Sequence, residues 1–145
     1  MLAHDLVVAE FTGYEEYDVQ VADLTRWGVN VGELPGETVA EVDLAEKYRG
    51  PKAPSVADLL AFLLARDRGA VLLTDDRRLA KVAADAGVET HGSLWVLDWL
   101  LRDSCIDPAT ALEALEKMEE AGCRLPAGEV ERRRVAWRRR TGSGE

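Results

Sequence analysis

Asp58 and Asp76 are the residues of this chain whose type and spacing best suit chemistry on a charged substrate. Asp58 stands in the first turn of an expected helix, in Pro54-Ser55-Val56-Ala57-Asp58, and Asp76 follows a strongly apolar run, in Thr74-Asp75-Asp76-Arg77. In an open parallel sheet, functional groups collect at the carboxyl ends of the strands, where loops and helix N-termini converge. A helix running away along the sheet and the strand returning antiparallel to it bring the start of the one and the end of the other to a single edge. Carboxylates meeting at about 4 Å repel by roughly 4 kcal/mol at an effective dielectric near ~20, so they call for a proton or a cation. Hard oxygen donors with positions left for water suit Mg²⁺ or Mn²⁺, which acidify bound water and stabilise charge on a phosphodiester under attack. Thr74 and Arg77 flank this acidic step, and Ser93, next to Gly92, opens a later helix whose backbone N–H groups can meet a phosphate. Those three residues are candidates for substrate binding. Each feature also has a plainer use. Ser55 and Asp58 fit an N-cap and its N3 partner, Asp75 or Asp76 can cap the next helix, and Ser93 can cap its own.

The elements that must position these residues are legible in the periodicity. Val56, Leu59, Leu60, Leu63 and Leu64 form a helical stripe opened at Ser55 and closed by Gly69. Ala70-Val71-Leu72-Leu73-Thr74 is a continuous apolar run of the kind buried on both faces of a parallel sheet. Arg77–Ala86 carries Leu79, Val82, Ala83 and Ala86 on one side and stops at Gly87, after which Val88–Thr90 reads as another strand. Earlier in the chain, Leu6–Ala9 and Val29–Val31 are short strand candidates, and Glu10 to Trp27 and Glu37 to Tyr48 have helical spacing. Strands and helices alternating at this spacing imply βαβ crossovers, so the expected fold is α/β, a small parallel sheet flanked by helices. From Gly92 onwards the pattern is helical: Ser93–Asp103, Asp107–Ala121 with an Asp-Pro start, and Glu129–Arg140, followed by a polar tail. The expected organisation is an α/β domain over residues 1–104 and a helical extension over 105–145 packed on it.

Composition narrows the function classes. With 145 residues and 47% hydrophobic content, the chain can bury one ordinary core. Its apolar stretches fall short of the roughly 20 residues needed to span a bilayer, and Met1–Asp5 lacks the basic and apolar start of a secretory signal, so a cytoplasmic protein with no membrane partner is expected. Cys105 and Cys123 form neither a CxxC pair nor a zinc-ligand spacing and read as small buried hydrophobes. A net charge of -9 opposes general coating of nucleic acid, yet Arg132, Arg133, Arg134, Arg138, Arg139 and Arg140 crowd the C-terminus. That segment suits RNA backbone, an acidic surface or plain solvation. Trp95 and Trp99, four apart, suit a core or a dimer interface, and His4 and His91 have no nucleophile partner at useful spacing.

The stretch Ser55-Val56-Ala57-Asp58, a helix, and then Gly69-Ala70-Val71-Leu72-Leu73-Thr74-Asp75-Asp76-Arg77-Arg78-Leu79 resembles the second half of PIN domains. These are metal-dependent ribonucleases that include the toxins of toxin-antitoxin pairs. The spacing of Asp58 and Asp76 also looks like the family's, and Val88 to Leu94 with Ala121-Gly122-Cys123-Arg124-Leu125 resembles a PIN-like subgroup with a helical C-terminal extension. The resemblance implies RNA phosphodiester hydrolysis with Mg²⁺ or Mn²⁺, catalytic roles for Asp58 and Asp76, a possible antitoxin protein as partner and a homodimer. In Ala9-Glu10-Phe11-Thr12-Gly13-Tyr14-Glu15 it nominates Glu15 as a further catalytic acid, with Glu10 and Glu16 close by. The family's first strand, ending in an aspartate, has no counterpart before Leu6, and Asp5 lies too close to that strand to replace it. The expectation is therefore either a start farther upstream or a shortened member with an incomplete acidic site. The alternative function is a non-catalytic PIN-like module that binds RNA or a partner protein.

Overall fold

The computed structural model describes residues 6–8, 26, 47, 50 and 54–143. Among them, in order, are β1 (Leu6–Val8), α1 (Val56–Arg68), β2 (Val71–Leu73), α2 (Arg77–Asp85), β3 (Thr90–His91), α3 (Ser93–Arg102), α4 (Pro108–Glu120) and α5 (Ala127–Gly142). The expected strand at Val29–Val31 and most of the expected helices over 10–27 and 37–48 lie outside the described residues. Two compact units divide the chain, Met1–Thr90 and His91–Glu145. The helix α3 thus groups with α4 and α5, whereas the sequence reading drew its division after residue 104.

In the first unit the α/β expectation holds. The strands follow the order β1-β2-β3, and β1 runs parallel to β2 in the register Leu6 to Val71, Val7 to Leu72 and Val8 to Leu73. Parallel neighbours need a crossover, and α1 is the last helix of the chain before β2. Ser55 caps α1, and at its other end Gly69 takes φ 61°, the left-handed conformation that reverses the chain at low cost only for glycine. There the Ala70 N–H reaches the Ala65 carbonyl at 2.9 Å, closing the turn into β2. The buried cluster joins Leu59, Ala61, Phe62, Leu63 and Ala65 of α1 to Ala70, to Leu72 of β2 and to Leu79, Val82 and Ala83 of α2. Phe62, at 2% exposure, lies off the expected stripe: α1 is covered around more of its circumference than a surface helix, so Leu60 and Leu64 stay half-buried while Phe62 becomes core. Ala86, expected on the buried side of α2, is exposed because the helix has already ended there.

The second unit is helical. Leu94, Leu97 and Leu101 of α3 meet Ala111 and Leu115 of α4 and Val130 and Trp137 of α5 in one buried cluster. Asp107 caps α4 through the Thr110 N–H at 2.7 Å, with Pro108 at the first helical position, as the Asp-Pro pair implied. The helix α5 extends beyond the expected Glu129–Arg140 at both ends. Cys105 and Cys123 are exposed rather than buried, because both sit in the short connections on either side of α4. No described helix is long and apolar enough to cross a membrane.

Candidate active site

Asp58 and Asp76 are both built into helix N-termini. Ser55 Oγ accepts from the Asp58 N–H at 3.1 Å, and Asp58 Oδ2 accepts from the Ser55 N–H at 3.2 Å, a reciprocal capping box at the head of α1. Asp76 caps α2: its Oδ1 accepts from the Arg78 N–H at 2.7 Å and the Leu79 N–H at 3.2 Å. Its own N–H donates to Thr74 Oγ1 at 3.0 Å. The plainer uses weighed from sequence are therefore real for both acids.

The helix and the strand after it run in opposite directions. From Asp58 to Arg68 the helix advances ~15 Å, and from Ala70 to Asp76 the extended chain returns by ~20 Å alongside it. Leu59 and Leu63 of α1 share a buried cluster with Leu72 of β2, so helix and strand lie against each other over that length. Asp58 thus stands at the head of α1 and Asp76 at the head of α2, just after β2, each at a helix N-terminus that presents partial positive charge.

Electrostatics differ between the residues. Partial burial by itself would raise the Asp76 pKa, but the Leu79 and Arg78 N–H groups and the Arg78 guanidinium outweigh it and hold its carboxyl below the usual carboxylate range. Arg78 Nη2 lies 3.3 Å from Asp76 Oδ2. Arg77, the substrate-contact candidate, and Arg78, the partner of Asp76, are both exposed in the first turn of α2. Thr74 serves the backbone turn into α2. Ser93 belongs to the second unit and is the first residue of α3, whose N-cap is Gly92 in extended conformation without a side-chain cap bond. The expectation that Ser93 caps this helix is thereby corrected: the backbone bends into the helix one residue earlier. His91 stacks on Trp95 at 4.2 Å between ring centroids, and Trp95 on Trp99 at 6.0 Å. Glu15 lies outside the described residues.

A family model described as a PIN domain matches residues 5–138. The chain belongs to the PIN-domain family. A protein named RNA-free ribonuclease P, from Ignicoccus hospitalis, is 36% identical over 115 residues, covering 76% of this chain and 48% of that protein. The chain thus spans about half the length of this curated relative. No solved structure matches it.

PIN domains are generally dependent on a divalent metal. The donors here are chemically suited to one, since carboxylate oxygens are the hard ligands such ions take. Among the described residues the capping box takes up Asp58 Oδ2 and not Oδ1, and Asp76 Oδ2 faces the Arg78 guanidinium, whose side chain at 53% exposure has room to turn into solvent. Each aspartate can therefore offer one oxygen without losing its helix cap. Among the described residues, no group of three His, Cys, Asp or Glu side chains gathers as a metal cluster.

Proposed function

We propose that this chain is a ribonuclease of the PIN class that hydrolyses RNA phosphodiester bonds with Mg²⁺ or Mn²⁺. Asp58, Asp76 and Glu15 are the assigned catalytic acids, with Asp58 and Asp76 as metal ligands and Thr74, Arg77 and Ser93 as substrate contacts. Membership of the PIN family supports this reading, as does the relative whose name is a ribonuclease. The observation that carries it is an ionised Asp76 at the head of the helix that follows β2, its carboxyl held below the usual range by its amide partners, with Asp58 at the head of the helix that precedes that strand. A divalent cation held there supplies an acidified water and offsets charge on the phosphate. The chain's own part is to fix the two carboxylates: capping immobilises each side chain before any ligand arrives, so little rotamer freedom remains to be lost. Arg78 stands against Asp76 Oδ2, and its exposed side chain could turn into solvent to leave that oxygen for a cation. The resemblance adds the role of a toxin with an antitoxin partner and a homodimeric working form, for which co-purification and sedimentation are the direct measurements.

One observation favours a second reading, a PIN-like module without catalysis: both aspartates already serve as helix caps. Single-stranded RNA cleavage in Mg²⁺ or Mn²⁺ separates the two, provided the capping loss is controlled. Ser55→Ala breaks the box but keeps the Asp58 carboxylate, so it should lower stability by about 1 kcal/mol and leave the rate within a fewfold. Asp58→Asn should lose at least about a hundredfold in rate, close to 3 kcal/mol in the barrier. Mn²⁺ should raise the melting temperature of the unaltered chain and of the Ser55 variant, and not that of the Asn variant. Equal loss in both variants, tracking stability alone, would leave Asp58 as a cap and nothing more.

A further inference from the structure

The six C-terminal arginines divide into two groups. Arg133 is held on three sides, with Nε and Nη2 on Asp98 at 2.6 to 3.1 Å and Nη1 on Glu129 at 2.9 Å, and is only 21% exposed. Arg134 pairs with Glu119 and Glu131, and Arg132 with Glu129. The pairs of Arg133 with Asp98 and of Arg134 with Glu119 fasten α5 to α3 and α4, beside the buried Val130 and Trp137, while that of Arg132 stays within α5. Arg138, Arg139 and Arg140 are different: all are exposed, and no described residue forms an ion pair with them.

Three consecutive residues on a helix point about 100° apart, so these guanidinium groups fan around the last turns of α5 instead of lining one side. Arg139 shares its face with Arg132, seven residues earlier, and between them lies Val135, an exposed large hydrophobic residue at 41%. Across residues 127–142 six arginines outweigh two glutamates, a net +4 in a chain of -9, so the remaining residues carry -13. Such a chain repels a polyanion over most of its length and can approach one best through this helix. The first three arginines already have acidic partners, and a favourable charge at the helix C-terminus would need one more, not three.

We infer that the end of α5 is a backbone clamp for single-stranded RNA, in which Arg138, Arg139 and Arg140 contact successive phosphates while Arg133 and Arg134 hold the helix in place. The inference rests on the reading of RNA as the substrate. A fan of guanidinium forks suits a flexible strand that can curl around a helix end, because its phosphates adjust to the donors.

The test measures binding of a short single-stranded RNA to the whole chain in chelator, across a range of salt concentrations, with no cleavage in play. The variant R138Q/R139Q/R140Q alters only exposed side chains and should keep the parent melting temperature. Each lost phosphate contact lowers the slope of log affinity against log salt by about 0.7 for single strands, so the slope should fall by about 2. Replacing the same three residues by lysine should restore most of it. An unchanged slope overturns the clamp, and so does equal competition by a polyglutamate peptide of the same charge, which would make the helix a protein-docking surface. Cleavage of a dinucleotide, too short to engage three arginines, is followed in parallel. Its loss in the unaltered chain counts against the nuclease alone and leaves the binding result standing.

Discussion

At the scale of single residues, the Asp76 carboxylate accepts two amide hydrogen bonds and faces a guanidinium, so protonating it removes all three interactions together. Its folded pKa lies below the unfolded value of about 3.9, which means that its stabilisation is present above that value and is lost as pH falls through the lower, folded one. Asp76→Ala should therefore cost about 1 kcal/mol at neutral pH. The gap between the variant and the parent should shrink below about pH 4 and vanish once the carboxyl is protonated, as read by urea unfolding stepped into the acid range. A gap that does not change with pH would mean that the residue stabilises by something other than its charge. The two caps were legible in the sequence because Ser-x-x-Asp and an acid before a helix are local signals, carried by residues within three positions of each other. Arg78 was not legible, since whether it or Arg77 turns back to Asp76 depends on the path of a helical turn and not on residue type. Nor was the Gly92 cap, because a backbone angle sets the helix boundary and Ser93 offered the more usual side chain.

Among the elements, α1 carries most of the weight, as it lies against β2 and α2 and holds Asp58 at its head. Its alignment depends on the reversal at Gly69. No heavy atom lies within 4 Å of where a Cβ would sit, so Gly69→Ala introduces no clash and tests the backbone conformation alone. The expected loss is about 1 kcal/mol in urea unfolding, with Gly69→Asn losing less because Asn tolerates the left-handed region. A neutral Ala variant would show that the turn relaxes out of that conformation. The helices and strands from Ser55 onwards were readable because each is bounded by Ser, Gly or Asp-Pro and repeats its apolar residues at a clear period. Phe62 escaped that reading: a stripe identifies the most buried face of a helix and cannot say how far burial extends around it.

For the molecule as a whole, two separate buried clusters mean two places where packing can fail. Leu115, almost fully buried among the last three helices, should cost about 2–5 kcal/mol on truncation to Ala. Hydrogen exchange should quicken in α3, α4 and α5 more than in α1 and α2. Uniform quickening would show that the two units open as one. The general fold class followed from alternating periodicities, while the grouping of α3 with its C-terminal neighbours did not, because Leu94, Leu97 and Leu101 would suit either set of partners until the packing is seen. The exposed thiols bear on any count of subunits. Cys105 and Cys123 sit on the outside of the second unit, open to oxidants, and an intermolecular disulfide through either would link two chains covalently without any native interface. A dimer band from a preparation without reductant would then record storage chemistry, and only mass measured in the presence of reductant, or after replacing both thiols with serine, bears on association in the cell.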